Sequence, residues 1–246
     1  MKVFMCGDTH GNLRHCEYLI DMCKGHKLTE IYQLGDFGYW EHTFQGEHFL
    51  DSLNEDLKSE GITWYWIDGN HENFDMLYEK YDADNPNEHP IRSNIIHLGR
   101  GYSKIIDGKK FLFCGGADSI DKGRRTKFVT WWPQELITEA QKERVLANGS
   151  DVDVFVTHEA PHGVDHLDIF LGSDNPTWFP QSHLHRVMMR EMVLRIRPKL
   201  IVHGHYHHYY VGRFPLDYFH YTKVIGLNCD GTANESWCIL DTKDVV

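Results

Sequence analysis

The sequence predicts an α/β protein in which two mixed β-sheets pack face to face as a sandwich flanked by helices, and three observations lead there. Short apolar runs that suit buried strands alternate with segments of helical periodicity. Turn residues such as Asp107-Gly108 join neighbouring strand-like runs in the middle of the chain, which requires antiparallel pairing and rules out purely parallel sheets. Polar clusters follow the apolar runs at five places: Gly7-Asp8-Thr9-His10-Gly11, Gly35-Asp36, Gly69-Asn70-His71-Glu72, Thr157-His158 and Gly204-His205-Tyr206-His207.

The elements follow in order. Lys2-Val3-Phe4-Met5-Cys6 reads as the first strand, and Leu13, Cys16, Leu19, Ile20 and Cys23 then mark one face of a helix. Residues 30–34 form the second strand and hand over to Asp36. A helix around Phe49, Leu50, Leu53 and Leu57 leads to a strand at 62–67, which ends at the Asn70-His71 loop. Short strands at 94–98, 102–106 and 110–114 follow, then the run Asp153-Val154-Phe155-Val156. Hairpin reasoning extends to 206–214, 218–226 and 236–240. Residues 162–185, with Gly163, Gly172, Asn175-Pro176 and Pro180, lack clear periodicity and read as a long loop, a candidate lid. His162, His166, His183 and His185 in that loop read as surface residues. With 246 residues and no long Pro/Gly/Ser-rich linker, the chain reads as one domain over 1–246.

Composition excludes several classes. With 36 acidic against 25 basic residues and a net charge of −11, stable binding to duplex nucleic acid is disfavoured, because it needs many Lys and Arg on phosphates. No apolar run approaches the roughly 20 residues needed to cross a bilayer, so no membrane partner is expected. Cysteines at 6, 16, 23, 114, 229 and 238 form no Cys-x-x-Cys pair, and no apolar signal segment precedes them. Free, mostly buried thiols in a reducing cytoplasm are expected.

The five polar clusters together supply ligands for two adjacent metal ions. Carboxylate, imidazole and amide oxygen suit Mn²⁺, Fe, Zn²⁺, Ni²⁺ or Co²⁺ rather than a thiolate structural site. The register of the last cluster stays open: His203 offers a ligand in the overlapping His203-Gly204-His205, and His208 adds another. Gly204 before His205 suits a tight strand exit and favours His205 and His207. A cysteine-phosphatase Cys-x5-Arg loop, a Gly-x-x-x-x-Gly-Lys-Ser/Thr loop and a Gly-x-Ser-x-Gly elbow are all absent.

The order Asp-x-His, Gly-Asp, Gly-Asn-His-Glu, His, Gly-His-x-His runs from Asp8 to His207 and resembles the calcineurin-like metallophosphoesterases. The stretch Gly115-Gly116-Ala117-Asp118-Ser119-Ile120-Asp121-Lys122-Gly123-Arg124-Arg125, followed by Trp131-Trp132-Pro133, is similar to a subgroup found in actinobacteria and their phages. Phage-encoded members of that kind hydrolyse phosphodiesters, including 2′,3′-cyclic nucleotides. The resemblance implies that Asp8, His10, Asp36 and His207 hold one metal, that Asp36, Asn70, His158 and His205 hold the other, and that Asp36 bridges them. It implies Mn as the first candidate metal, a small phosphoester substrate, in-line attack by a metal-bridging hydroxide, and His71 as proton donor to the leaving group. If the chain is phage-encoded, its location is the cytoplasm of the bacterial host. Arg124 and Arg125 either clamp the substrate phosphate or form an exposed basic pair. Trp131-Trp132 either packs a core or covers a base. The second cluster continues Gly35-Asp36-Phe37-Gly38-Tyr39-Trp40-Glu41, without the Asp-Arg-Gly extension of protein phosphatases, which disfavours phosphoprotein substrates. A phosphomonoesterase, a short-RNA nuclease and a non-catalytic scaffold are the alternatives.

Overall fold

Strands that are apolar on both faces have to be covered on both faces. β1 (Lys2–Cys6), β2 (Glu30–Gln33), β3 (Thr63–Trp66) and β5 (Ile95–Leu98) form the parallel centre of one six-stranded sheet, with β4 (Glu88–Arg92) and β12 (Trp237–Asp241) antiparallel at its edges. The second six-stranded sheet repeats the plan. β7 (Lys109–Cys114), β8 (Val154–Thr157), β9 (Leu200–His203) and β11 (Tyr221–Gly226) run parallel in its centre, between antiparallel β6 (Ser103–Ile106) and β10 (Tyr210–Pro215). This computed structural model describes residues 1–80, 82, 85–172 and 179–245.

Alternation along each strand builds three apolar layers. Val3, Met5, Tyr32, Phe113, Val154 and Val202 meet in the core between the sheets. Phe4, Cys6, Ile31, Trp64 and Trp66 face outward onto α1 (Leu13–Gly25) and α2 (Phe44–Glu60). On the other side, Leu112, Phe155 and Ile201 meet Val145 of α4 (Glu139–Ala147) and Met189, Met192 and Val193 of α6 (Pro180–Ile196). The shorter helices α3 (Phe74–Lys80) and α5 (Asp165–Phe170) complete the α-helices among the described residues. Sites in α/β sheets form at the carboxyl ends of parallel strands. The five polar clusters leave from those ends of β1, β2, β3, β8 and β9.

Three expected elements need correction, and one strand, β4, was not expected. The strand expected at 206–214 begins only at Tyr210, because His205 and His207 hold φ of +72° and +48°, left-handed values that no strand accommodates. The strand expected at 236–240 does not continue the hairpin: β11 is already flanked by β9 and β10, so β12 crosses to the open edge of β1. β4 carries Pro90, which suppresses a strand signal but is tolerated at a sheet edge, and the register shifts beside it. Finally, 162–185 is not one long loop, since it contains α5 and the first turns of α6; its Asn175-Pro176 lies outside the described residues. The α6 periodicity was hidden because Ser182, His185 and Arg186 occupy its buried face ahead of Met189, Met192, Val193 and Ile196. His185 is therefore buried rather than on the surface, whereas His166 is exposed.

No helix among the described residues is long and apolar enough to cross a membrane. All six cysteines are free thiols, and Cys6, Cys16, Cys23 and Cys114 are buried.

One buried ion pair ties the first sheet to the loops around the site. Arg100 donates to Asp68 Oδ2 from Nε at 3.0 Å and from one terminal nitrogen at 2.6 Å, and donates further to the carbonyls of Gln134, Glu135 and Leu136. Burial pushes the Asp68 carboxyl up, but Arg100 and His97 outweigh it and hold it below the usual carboxylate range. Removing one partner of a buried pair leaves the other charge unpaired, so Arg100→Met should cost about 3–5 kcal/mol. Thermal unfolding near neutral pH should show a fall of roughly 6–20 °C. Because the folded-state value is depressed, this stabilisation is present above about pH 4 and is lost as pH falls through the lowered value. A melting temperature unchanged at pH 7 would exclude that role.

Candidate metal centre

The site starts from turns that only particular residues can make. A Cβ on Gly7 would sit 2.1 Å from the Asn228 carbonyl oxygen, one on Gly69 would sit 2.0 Å from Asp36 Oδ1, and one on Gly204 would sit 2.3 Å from Asp8 Oδ1. The last two glycines let backbone close against the two carboxylates. His10, Asp36, His205 and His207 all have positive φ, a conformation costing of order 1–3 kcal/mol each that persists only where the surroundings enforce it. At Asp36 the enforcing contacts are visible. Its Oδ1 accepts the amides of Asn70 at 2.7 Å and His71 at 2.8 Å, while fully buried Glu72 accepts those of Phe37, Gly38 and Tyr39.

The imidazoles are oriented by their outer nitrogens. His158 Nδ1 lies 2.7 Å from the Leu34 carbonyl oxygen and donates there, which leaves Nε2 facing Asn70 Oδ1 at 3.2 Å and Asp36 Oδ1 at 3.4 Å. His10 Nδ1 pairs with Asp230 Oδ1 at 2.8 Å, turning Nε2 toward Asp36 Oδ2 at 3.6 Å. His207 Nε2 stands 3.1 Å from Asp8 Oδ2, and the His205 amide donates to Asp8 Oδ1 at 3.1 Å. Two clusters result, Asp8–His10–His207 and Asp36–His158–His205, each with ligand atoms within 4.8 Å of one another. Asp36 faces an imidazole from each.

These groups converge lone pairs, and lone pairs at such distances need a cation between them. Without metal, protons fill that role. Burial alone would lower His10 and His158, but Asp36 reverses this and raises them to about 9 and about 10; Asp8 raises His207 to about 10. His205, where burial dominates, falls to about 4. Asp8 Oδ2 is buried, and His207 Nε2 faces it at 3.1 Å without the alignment of a full hydrogen bond. A buried carboxylate oxygen with so few donors is costly, and a metal ion between Asp8 and His207 would satisfy both. The donor set fits divalent ions of borderline hardness.

Above these clusters opens a cavity of about 550 Å³. Ser119, Asp121, Arg125 and His71 line it together with Leu171, Phe179 and Tyr206. The basic pair is split: Arg125 reaches the cavity and donates to His71 Nε2 at 2.7 Å, whereas Arg124 is exposed and is not among the lining residues. Trp132 is buried in the core against α1 and α2, and Trp131 does not line the cavity either; among the described residues, Phe179 and Tyr206 do, beside the histidines. His203 is fully buried and bonded to the Tyr210 hydroxyl at 2.6 Å, and His208 stacks on Phe170 at 4.0 Å. Neither belongs to the two clusters. The groups nearest the His71 ring nitrogen are Arg125 and Asp36 Oδ2, the latter at 3.9 Å.

Sequence reasoning passed over Asp230, Ser119 and Glu135. Asp230 had a signal, since Asn228-Cys229-Asp230 closes the apolar end of β11 as the other five clusters close theirs. Ser119 lies in the Gly115–Arg125 stretch but its role had no signal, and Glu135 had none at all, because their contacts are with residues remote in sequence.

The family model described as calcineurin-like phosphoesterase matches residues 1–209. Among solved structures, the protein TT1561 of Thermus thermophilus is similar with a TM-score of 0.55 at 10% identity, covering 93% of this chain and 90% of that one. A dimetal phosphatase from Danio rerio is similar with a TM-score of 0.52 at 12% identity, covering 92% and 87%. Purple acid phosphatase PPD1 from yellow lupin seeds has a TM-score of 0.50 at 11% identity, covering 92% of this chain but 44% of that one. These likenesses speak to the fold alone. No curated protein matches significantly.

Proposed function

The chain belongs to the calcineurin-like phosphoesterases, and from that premise we propose that it is a dinuclear metal-dependent phosphodiesterase of small substrates, with 2′,3′-cyclic nucleotides as the first candidate. The observation that carries the reading is the pair of three-residue clusters adjoining at Asp36, from which Asp36, His205 and His207 line one cavity. Asp8, His10, Asp36 and His207 would hold one ion; Asp36, Asn70, His158 and His205 would hold the other. When bound, the two ions supply positive charge for the phosphoryl oxygens and acidify water.

The chain's own groups do the rest. The Asn70 and His71 amides keep Asp36 in its left-handed turn, so the shared carboxylate keeps its place through turnover. Arg125 reaches the cavity with a guanidinium suited to a phosphate oxygen, and His71 beside it is the proton donor for the leaving oxygen. Leu171, Phe179 and Tyr206 offer an apolar wall for a base or an aryl group and limit access of water. Singly charged diesters suit an acidic protein whose cavity carries two arginines, Arg125 and the Asp168-paired Arg186, better than polyphosphates do.

The test is a steady-state comparison, at matched Mn²⁺ concentration, of 2′,3′-cyclic nucleotides and aryl diesters against aryl monoesters and phosphoserine peptides. The diesters should lead in kcat/KM by at least about tenfold, equivalent to about 1.4 kcal/mol. Higher kcat/KM for phosphopeptides would overturn the diesterase reading while leaving the metal assignment intact.

A further inference from the structure

An asparagine that binds a cation has a problem of direction. Its carbonyl oxygen and amide nitrogen exchange places by a half-turn with almost no change in shape, and only the oxygen is a ligand. At Asn70 the outer end of the amide is held by a chain of buried polar groups. Asn70 Nδ2 lies 3.0 Å from Ser119 Oγ, Ser119 Oγ lies 2.7 Å from Glu135 Oε2, and the Ser119 amide donates to Glu135 Oε1 at 2.8 Å. Ser119 and Glu135 are essentially fully buried. The inner end, Oδ1, faces His158 Nε2 at 3.2 Å.

From this chain we infer that Ser119 and Glu135 are positioning residues, a polarity relay that turns the carbonyl oxygen of Asn70 toward the metal centre. The relay works by proton count. Burial raises the Glu135 carboxyl to about 7 against the two Ser119 hydrogen bonds that favour its ionised form; above that pH the carboxylate only accepts, so the single hydroxyl proton of Ser119 is committed to Glu135. Ser119 then offers only lone pairs to its next neighbour, and only the NH₂ end of Asn70 can meet them. The reversed amide would set its oxygen against the lone pairs of Ser119 and its NH₂ toward the cations. Glu135 is itself held: it ends the 3₁₀ turn Pro133–Glu135, and Arg100 donates to its carbonyl at 3.0 Å. The two sequence stretches around Gly115–Arg125 and Trp131–Pro133, otherwise without a role at the metals, thereby act on one ligand.

This inference rests on Asn70 being a metal ligand, and the experiment separates the two. The metal-stripped full chain is titrated calorimetrically with Mn²⁺. Glu135→Gln is nearly isosteric, but its amide can donate to Ser119 Oγ and release the serine proton toward Asn70, favouring the reversed amide. Affinity for one of the two ions should fall about 10–100-fold, the range for outer residues that orient ligands, with the other ion unaffected. In an Asn70→Asp background no nitrogen can turn inward, so adding Glu135→Gln should change affinity by no more than about twofold. Ser119→Ala, which keeps Glu135, should reproduce the loss of one ion and serves if Glu135→Gln does not fold. Unchanged affinity in the folded single variants, or an equal loss in the Asn70→Asp background, would overturn the relay in favour of simple packing. A wild-type chain that takes up no second Mn²⁺ would instead overturn the metal reading, and the relay with it.

Discussion

Asp36→Ala is expected to lower turnover by about 10⁴-fold, because several kcal/mol of charge stabilisation depend on both proposed metal positions at once. Asp36 faces an imidazole from each cluster, His10 at 3.6 Å and His158 at 3.4 Å. Its loss should weaken both ions together, which distinguishes it from Asp8→Ala, where the first cluster should suffer more. Metal content after dialysis and steady-state rate on an aryl diester measure the two effects. Retention of both ions by Asp36→Ala would refute the shared-carboxylate assignment. Full turnover by wild-type protein in excess chelator would refute metal dependence altogether.

His71→Gln should slow substrates with poor leaving groups by about 10²–10⁴-fold, the usual contribution of a positioned proton donor. A nitrophenyl diester, whose leaving group needs little protonation, should lose far less. The geometry adds a condition. Arg125 donates to His71 Nε2, so that nitrogen can face a leaving oxygen only once Arg125 turns to the phosphate. Burial lowers the pKa of His71 and so opposes the protonated ring, and proton donation requires His71 to take up a proton at Nε2 once Arg125 has left it. Removal of Arg125 should accordingly raise KM as well as altering the leaving-group dependence. The comparison of alkyl and nitrophenyl diesters decides the role. Equal losses on both would mean that His71 only positions substrate.

What was legible in the sequence was local. A strand buried on both faces must be apolar along its whole length, and a polar cluster directly after it has to lie at the strand's end; both follow from a few consecutive residues. On that basis β1, β2, β3 and β8 and the groups at Asp8, Asp36, Asn70 and His158 could be placed without coordinates. The mixed sandwich was legible for the same reason, since the Asp107-Gly108 turn dictates antiparallel pairing of β6 and β7. What only the tertiary structure decided was which remote residues face one another. It put β12 beside β1 because no edge of β11 was open, and it turned Arg125 rather than Arg124 into the cavity. It sent His203 to Tyr210 while His205 and His207 turned to the carboxylates. It hid the α6 helix by burying Ser182, His185 and Arg186 where an apolar stripe would have announced it. Burial and hydrogen bonding across long sequence separations are set by packing of whole layers, and no short stretch of residues encodes its partner.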